Sequence, residues 1–510
     1  MLVLGDALTV TDVTTLHPMG VGALVVACMA ILMSPVRLAP VYLLALAIYI
    51  PTAQRMVVAG ADFPLLRFAA LVALGRIAVG GGFRGLSLGG IDFLVALGAL
   101  MKILCIPIVS GKPNLVFQQI GSGIDTLGIY MVIRGTVRNL ADLRRYSTAA
   151  LVVAAPATVI FLIERATGRN MLSVFGGVPM FTAVREGKLR CQGAFSHAIL
   201  AGCFFVALLP LWIGRWREGF RGKTIAGVGT AVALLVVFCC SSSTPVVATV
   251  FLTAGFAGYF LWSSLRAVWV SGLVLAFILN FVMKHGVWHL IARIDMVGGS
   301  TGYHRYLLID AAINHFGEWA LMGTTSTMHW GNGLFDITNQ YILEGVRGGF
   351  VATLALFGSM VLAFRGIGYW LRRLPPRGMD HFMVYAVGAA IFGQMSIFLA
   401  VSYFGQTIMI WYVTIAFGGM IAEQARRDAR NPGSASLTGA VGRPAPGASG
   451  APAKWPARPR GRALPPAELM PGGAPAASRM QGGGAEAIRP APQSGPPGTD
   501  GRYLGLAPGD

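Results

Sequence analysis

Along most of this chain apolar residues come in long unbroken stretches, with neither the alternation of a half-buried strand nor the single stripe of a surface helix. The stretches fall at about 18–34, 38–54, 62–78, 91–110, 115–133, 147–163, 198–214, 224–240, 246–263, 267–283, 347–366, 382–403 and 405–422. Each approaches the ~20 residues that cross a bilayer core of roughly 30 Å. In lipid every backbone polar group must be satisfied within the protein, so a spanning segment is a helix or part of a closed barrel. Continuous runs select helices. The count is twelve or thirteen, because Arg67 and Arg76 bracket a short third stretch and the last two are almost continuous. The expectation is an all-α polytopic membrane bundle over residues 1–425, with outer loops near 164–197 and 284–346 that contain short helices.

Composition agrees with the pattern. The 510 residues are 55% hydrophobic and 12% charged, against roughly 25% charged in an average soluble domain. Residues 431–510 are a different material, rich in Pro, Gly, Ala and Arg with few large aliphatics, as in "GRPAPGASGAPAKWPARPRGRALPP". Such a segment buries too little apolar surface to offset its ordering entropy, which predicts a disordered tail. The N-terminus has no basic stretch before its first apolar run, so no cleaved signal peptide is expected.

The net charge of +19 sets orientation rather than a nucleic-acid partner. Arg134, Arg138, Arg144 and Arg145 form one basic cluster, and Arg215, Arg217, Arg221 and Lys223 a second. Arg365, Arg372, Arg373 and Arg377 form a third, and Arg426, Arg427 and Arg430 follow the last span. All four fall on one side of the predicted bundle, and positive charge marks the cytoplasmic side. The tail is then cytoplasmic and both long loops face out. No basic, aromatic-interleaved soluble domain is present, which excludes nucleic acid as a partner. Of six cysteines only Cys191 lies in a loop, and no CxxC or HExxH spacing occurs, so neither a disulfide nor a metal site is expected.

The unusual residues sit in the two outer loops. The first carries Arg165, Arg169, Arg185, Lys188 and Arg190, against the charge rule for that face. Either they grip an anionic ligand or they pair with Glu164 and Glu186. Arg190 and His197 lie just before a span, near the membrane surface. The second loop holds His285, His289, His304, His315 and His329, beside Arg305, Asp310 and Asp336. On a helix through this segment His304, Leu308, Ala311 and His315 share one face. Clustered histidines on an outer face suit general base chemistry. Asp125 and Lys102 lie inside predicted spans, where a charge is expensive and carries a functional expectation.

These segments carry a resemblance. An Arg lies near the end of the first loop in "LRCQGAFSHAILAG", followed by a serine-rich span end, "SSSTP". The second loop has an early Arg in "GYHRYLLID", a Gly-rich turn "MHWGNG", then "TNQYILEGVRGGF" leading into a span. Over about residues 185–365 the chain resembles the O-antigen ligase and polysaccharide polymerase superfamily of bacterial inner-membrane glycosyltransferases. The resemblance implies metal-independent transfer, without a cofactor, of glycan from a polyprenyl-diphosphate donor on the periplasmic face. The partners it implies are that lipid-linked glycan, the bilayer and other polysaccharide assembly proteins. Arg190 and Arg305 match the family arginines and Asn339 the family's Asn, and His197, Gln340 and Arg347 join them as candidate substrate-binding residues. The family's His before Asn339 is Thr338 here, and threonine is no base at neutral pH. His329 is the preferred base, then Asp336, with His304 and His315 as further alternatives. The competing classes are a transporter or flippase of a lipid-linked glycan, and a non-catalytic assembly component.

Overall fold

The computed structural model describes residues 14–58, 61–283, 288, 301–431 and 437. His285, His289 and all of the predicted tail except Asn431 and Leu437 lie outside them. The fold is helical. Helices α1 (Pro18–Met33), α2 (Ala39–Tyr49), α3 (Leu65–Val79) and α4 (Gly90–Ser110) come first. Next are α5 (Leu115–Gly123) and α6 (Ile129–Thr136), joined by a π-helical turn over Ile124–Gly128. Then follow α7 (Leu140–Thr167), α8 (Ala198–Ile213), α9 (Gly219–Cys240), α10 (Ser243–Ala257) and α11 (Leu265–Val282). The second long loop contributes α12 (Thr301–Asn314) and α13 (Phe316–Trp319). The chain closes with α14 (Gln340–Leu371), α15 (Met379–Phe398) and α16 (Ile408–Arg430).

Seven of the described helical segments are long and apolar enough to cross a membrane, as in a multi-pass membrane protein, and four more are apolar but shorter. Their packing has the same character. Helices α8, α15 and α16 are buried on nearly all sides, around Trp212, Phe204, Phe205, Phe398 and Phe417. The outer helices instead turn large apolar side chains outward, among them Phe93, Val152, Phe238 and Phe281, each more than 60% exposed. Water does not tolerate so wide an apolar belt, whereas lipid does.

Two details depart from the sequence pattern. The second apolar stretch stops as a helix at Tyr49, because Ile50 precedes Pro51 and takes an extended conformation. Residues Arg55–Val58 and Ala61–Pro64 then pair as an antiparallel hairpin, β1 and β2. Leu437, inside the predicted tail, is buried, and its carbonyl accepts the Leu140 N–H at 2.9 Å. Leu437 is thus packed against the start of α7.

The four basic clusters meet at one end of the bundle. Arg144 at the start of α7 pairs with Glu218 before α9 at 2.7 Å and with Asp380 at the start of α15. Gln424 of α16 donates to the Arg138 carbonyl, and Arg373 pairs with Asp428 at 2.6 Å. One expected loop residue is not in a loop. Arg134 is fully buried in α6, between Asp92 at 2.8 Å and Glu423 at 3.0 Å. The two intramembrane charges singled out above also have partners. Arg67 grips both oxygens of Asp125, at 2.8 and 2.6 Å, and Lys102 lies 3.0 Å from Glu344.

Helix α14 is broken near its start. Gly348 and Gly349 leave helical geometry, Gly349 at φ 71°. Two backbone groups at the break are satisfied by the loop before it: Thr324 N–H donates to the Val346 carbonyl at 2.9 Å, and Phe350 N–H to the Ala320 carbonyl at 2.8 Å. A Cβ on Gly349 would come within 2.4 Å of the Leu321 carbonyl oxygen, so the close approach needs glycine.

Candidate functional site at the loop end of the bundle

At the end opposite the basic clusters, the first long loop, near 164–197, folds back over the tip of α7. Its anchor is Glu164, which is fully buried. That carboxylate accepts the N–H groups of Gln192 and Gly193, each at 3.0 Å, and the Thr182 hydroxyl at 3.1 Å. Glu164 therefore does not neutralise a loop arginine, as one sequence reading had it. It spends its charge on backbone donors and so fixes the segment that carries Arg190. Asn170 adds a second tie through its side-chain amide, which donates to the Gly193 carbonyl at 2.7 Å.

Three arginines from three segments converge on the turn between α9 and α10. This turn, Ser241 to Thr244, is the serine-rich stretch read in the sequence. Ser241 has φ 43° and ends α9, and Pro245 sits in the first turn of α10, where its missing N–H costs nothing. Gly202 of α8 permits close packing here, since a Cβ on it would meet the Pro245 ring at 2.5 Å. Arg165 donates to the Ser241 hydroxyl at 3.1 Å and to the Leu189 carbonyl at 2.7 Å. Arg190 donates to the Ser242 hydroxyl at 3.3 Å, and Arg305 of α12 to the Thr244 hydroxyl at 3.0 Å. The Arg190 Nε is buried and has no hydrogen-bond partner among the described residues. Each guanidinium thus touches the turn through one arm and has donors left for something else.

His197 caps α8, its Nδ1 accepting the Ile199 N–H at 3.2 Å. The ring is reached by solvent yet crowded, and desolvation first, then the positive charge of Arg190, pushes it down to about 4. At neutral pH it is an uncharged imidazole. Burial also lowers the guanidinium pKa values of Arg190 and Arg305, and neighbouring Arg185 adds to the effect on Arg190. Both remain cations at neutral pH.

The second long loop has its own small core. Leu308, Ala311 and Ala312 of α12 pack with Trp319, Trp330, Leu334, Ile337 and Ile342. The helical face expected from sequence is thus the packed one, and residues 328–337 run back along it. At one end the His304 Nε2 lies 3.4 Å from the Asp336 carbonyl oxygen. At the other end Glu318 ties three side chains together. His315 Nδ1 lies 2.5 Å from its Oε1, His329 Nε2 lies 2.7 Å from its Oε2, and Trp330 Nε1 donates to Oε2 at 3.1 Å. Those bonds from Trp330, His315 and His329 hold the Glu318 carboxyl down at about 2.

The structure therefore sorts the predicted site residues into groups. Arg190, Arg305 and His197 share the arginine turn or its edge. His329 does not join them. It sits against His315, ten residues beyond Arg305 on or just past α12, about 15 Å at 1.5 Å per residue. Asp336, the second base candidate, is exposed and lies at the His304 end, the end of α12 that carries Arg305. Asn339 and Gln340 are buried and occupied. Asn339 caps α14 by accepting the N–H groups of Tyr341 and Ile342, while Gln340 donates to Glu344 at 2.8 Å and accepts the Tyr403 N–H at 2.7 Å. Arg347 sits at the α14 break, one helical turn from Glu344 and its partner Lys102. The Thr338 hydroxyl is buried with no hydrogen-bond partner among the described residues. Two carboxylates that organise these loops were not read in that role from the sequence. Glu318 had a signal, its position three residues after His315 on a helix face. Glu164 had none that separates it from a surface partner of the loop arginines. No protein-family model matches the chain, and no curated protein matches it.

Proposed function

We propose that this chain is a multi-pass glycosyltransferase of the bacterial inner membrane, working on the periplasmic face with a glycan donor carried on polyprenyl diphosphate. The observation that supports it most is the convergence of Arg165, Arg190 and Arg305 on one hydroxyl-lined turn at a helix end. Cations that gather at the end of an apolar bundle, with donors to spare, suit an anionic lipid headgroup. In the transfer, the bond from the anomeric carbon to the diphosphate oxygen breaks and its electron pair stays with the diphosphate. The acceptor hydroxyl oxygen forms the new bond and its proton goes to a base. Arg190 and Arg305 stabilise the leaving charge. The base of this reading is Asp336 rather than His329, because Asp336 lies at the arginine end of α12. The acceptor is a second lipid-linked chain in a polymerase or a lipid A core in a ligase, and other assembly proteins are the expected partners. The basic end of the bundle then faces the cytoplasm, and the reading takes twelve or thirteen crossings.

The test is chain assembly in cells carrying Arg190→Ala or Arg305→Ala. Each is expected to abolish product and accumulate lipid-linked donor on the outer leaflet, and Lys is expected to restore little. Normal product with either variant refutes the reading. One observation favours a second reading, a transporter of the same donor: α14 is discontinuous, with Lys102, Glu344 and Arg347 gathered at its break. A transporter defect leaves donor on the inner leaflet, so the two readings separate in the same experiment.

A further inference from the structure

The cluster around Glu318 lies outside the arginine turn and has the make-up of a metal site. His315 Nδ1, a Glu318 carboxylate oxygen and His329 Nε2 all lie within 4.8 Å of one another. Local geometry supplies the first two, since His315 and Glu318 are three residues apart at the junction of α12 and α13. The third arrives from the turn Met328–Trp330. No sequence spacing announces such a set, because its last ligand is brought by tertiary packing.

The surroundings are those of a built site. The His315 ring stacks on the Trp330 indole, with centroids 5.5 Å apart and planes at 10°. That contact fixes the ring without help from an ion. Trp330 Nε1 donates to Glu318 Oε2 at 3.1 Å, which orients the carboxylate and leaves Oε1 nearer His315. An outer hydrogen bond of this kind is what metal-binding carboxylates have. All three ligands are partly open to solution, so an ion has an entry path and room for water.

We propose that His315, Glu318 and His329 bind a zinc ion at the loop end of the bundle. Two imidazoles and one carboxylate form a donor set that suits Zn²⁺, with water completing a tetrahedron. Zinc–nitrogen and zinc–oxygen bonds are about 2.0–2.2 Å, so the three donors need to move by about an ångström or less. Each ligating ring nitrogen turns a lone pair to the ion, and any ring proton it held moves to the other ring nitrogen or to solvent. The ion clips the α12–α13 junction to the turn that carries His329 and so braces the small core of Leu308, Trp330 and Leu334. It sits about 15 Å from Arg305 along α12 and takes no part in the transfer proposed above. The inference is independent of that reading.

The experiment uses the full chain in nanodiscs, purified without a histidine tag, incubated with zinc sulfate and dialysed. Metal analysis is expected to find one zinc per wild-type chain and almost none in the variant His315→Ala, His329→Ala. Trp330→Phe removes the outer hydrogen bond and trims the ring that stacks on His315, and is expected to weaken zinc at least about tenfold in a chelator competition. Cobalt substitution gives a readout that depends on no variant. The expected spectrum is the intense visible absorption of a four- or five-coordinate ion. Zinc uptake by wild type no greater than by the double variant, or the weak spectrum of a six-coordinate ion, overturns the proposal.

Discussion

Glu164→Ala is the sharpest probe of how the first loop is held. The wild-type carboxylate is fully buried and accepts from the Gln192 N–H, the Gly193 N–H and the Thr182 hydroxyl. Alanine leaves three buried donors without partners, and each such group costs about 1–3 kcal/mol. Even at the low end the loop loses about 3 kcal/mol of its local stability, roughly a hundredfold in its opening equilibrium. Cys191 reports that opening. It is fully buried next to Gln192, and its thiol is pushed up to about 12, chiefly by burial. In a chain whose other five cysteines are replaced, maleimide labelling of Cys191 in the folded protein is expected to be slow. Glu164→Ala is expected to speed it about a hundredfold, in step with the opening equilibrium, and Glu164→Gln, which keeps one acceptor oxygen, by less. Equal labelling rates in wild type and Glu164→Ala refute the claim that this carboxylate holds the loop.

Gly349→Ala forces a Cβ within 2.4 Å of the Leu321 carbonyl oxygen at φ 71°, so it is expected to cost about 3 kcal/mol and to lower the melting temperature in detergent markedly. Gly75→Ala, where a Cβ meets nothing within 4 Å, is expected to be neutral or to stabilise by about 0.5–1 kcal/mol. His197 titrates near about 4 in the folded chain against an ordinary 6.5, so between those values the unfolded chain holds a proton that the folded chain lacks. Stability is then expected to fall as pH drops from about 6.5 to 4, and His197→Asn, which keeps the cap, is expected to flatten that fall in thermal melts. Reporter fusions after Arg145, Arg221 and Arg373 are expected to read as cytoplasmic and a fusion near Gly176 as periplasmic. A cytoplasmic signal at Gly176 breaks the proposed orientation.

The helices were legible because continuous apolar runs report a lipid environment directly, and each predicted stretch overlaps a described helix. Helix ends were less so. Pro51 terminates α2 at Tyr49, and the β1–β2 hairpin fills the gap, a local rule outweighed in the reading by hydropathy. Arg190 and Arg305 could be picked out because cations are unusual in loops expected to face outward. Their meeting place, the Ser241–Thr244 turn, depends on how α8, α9 and α12 pack, which no local pattern carries. The same limit explains His329. Its chemistry recommended it as a base, but tertiary packing gives it Glu318 and His315 as neighbours and puts it at the far end of α12. Asn339 and Gln340 were read as substrate-binding residues, and they form the cap and the inner hydrogen bonds of a helix start.

The central claim is that the arginine turn binds a lipid diphosphate. Its most direct measurement is the affinity of a short polyprenyl diphosphate for the purified chain in nanodiscs. The wild type is expected to bind, and Arg190→Ala and Arg305→Ala each to weaken binding at least about tenfold, since a hydrogen bond to a charged group is worth about 1.5–3 kcal/mol. The variant His315→Ala, His329→Ala, altered about 15 Å away along α12, is expected to bind like wild type. A diphosphate that does not bind, or that binds the Arg190→Ala, Arg305→Ala double variant as tightly as wild type, contradicts the account.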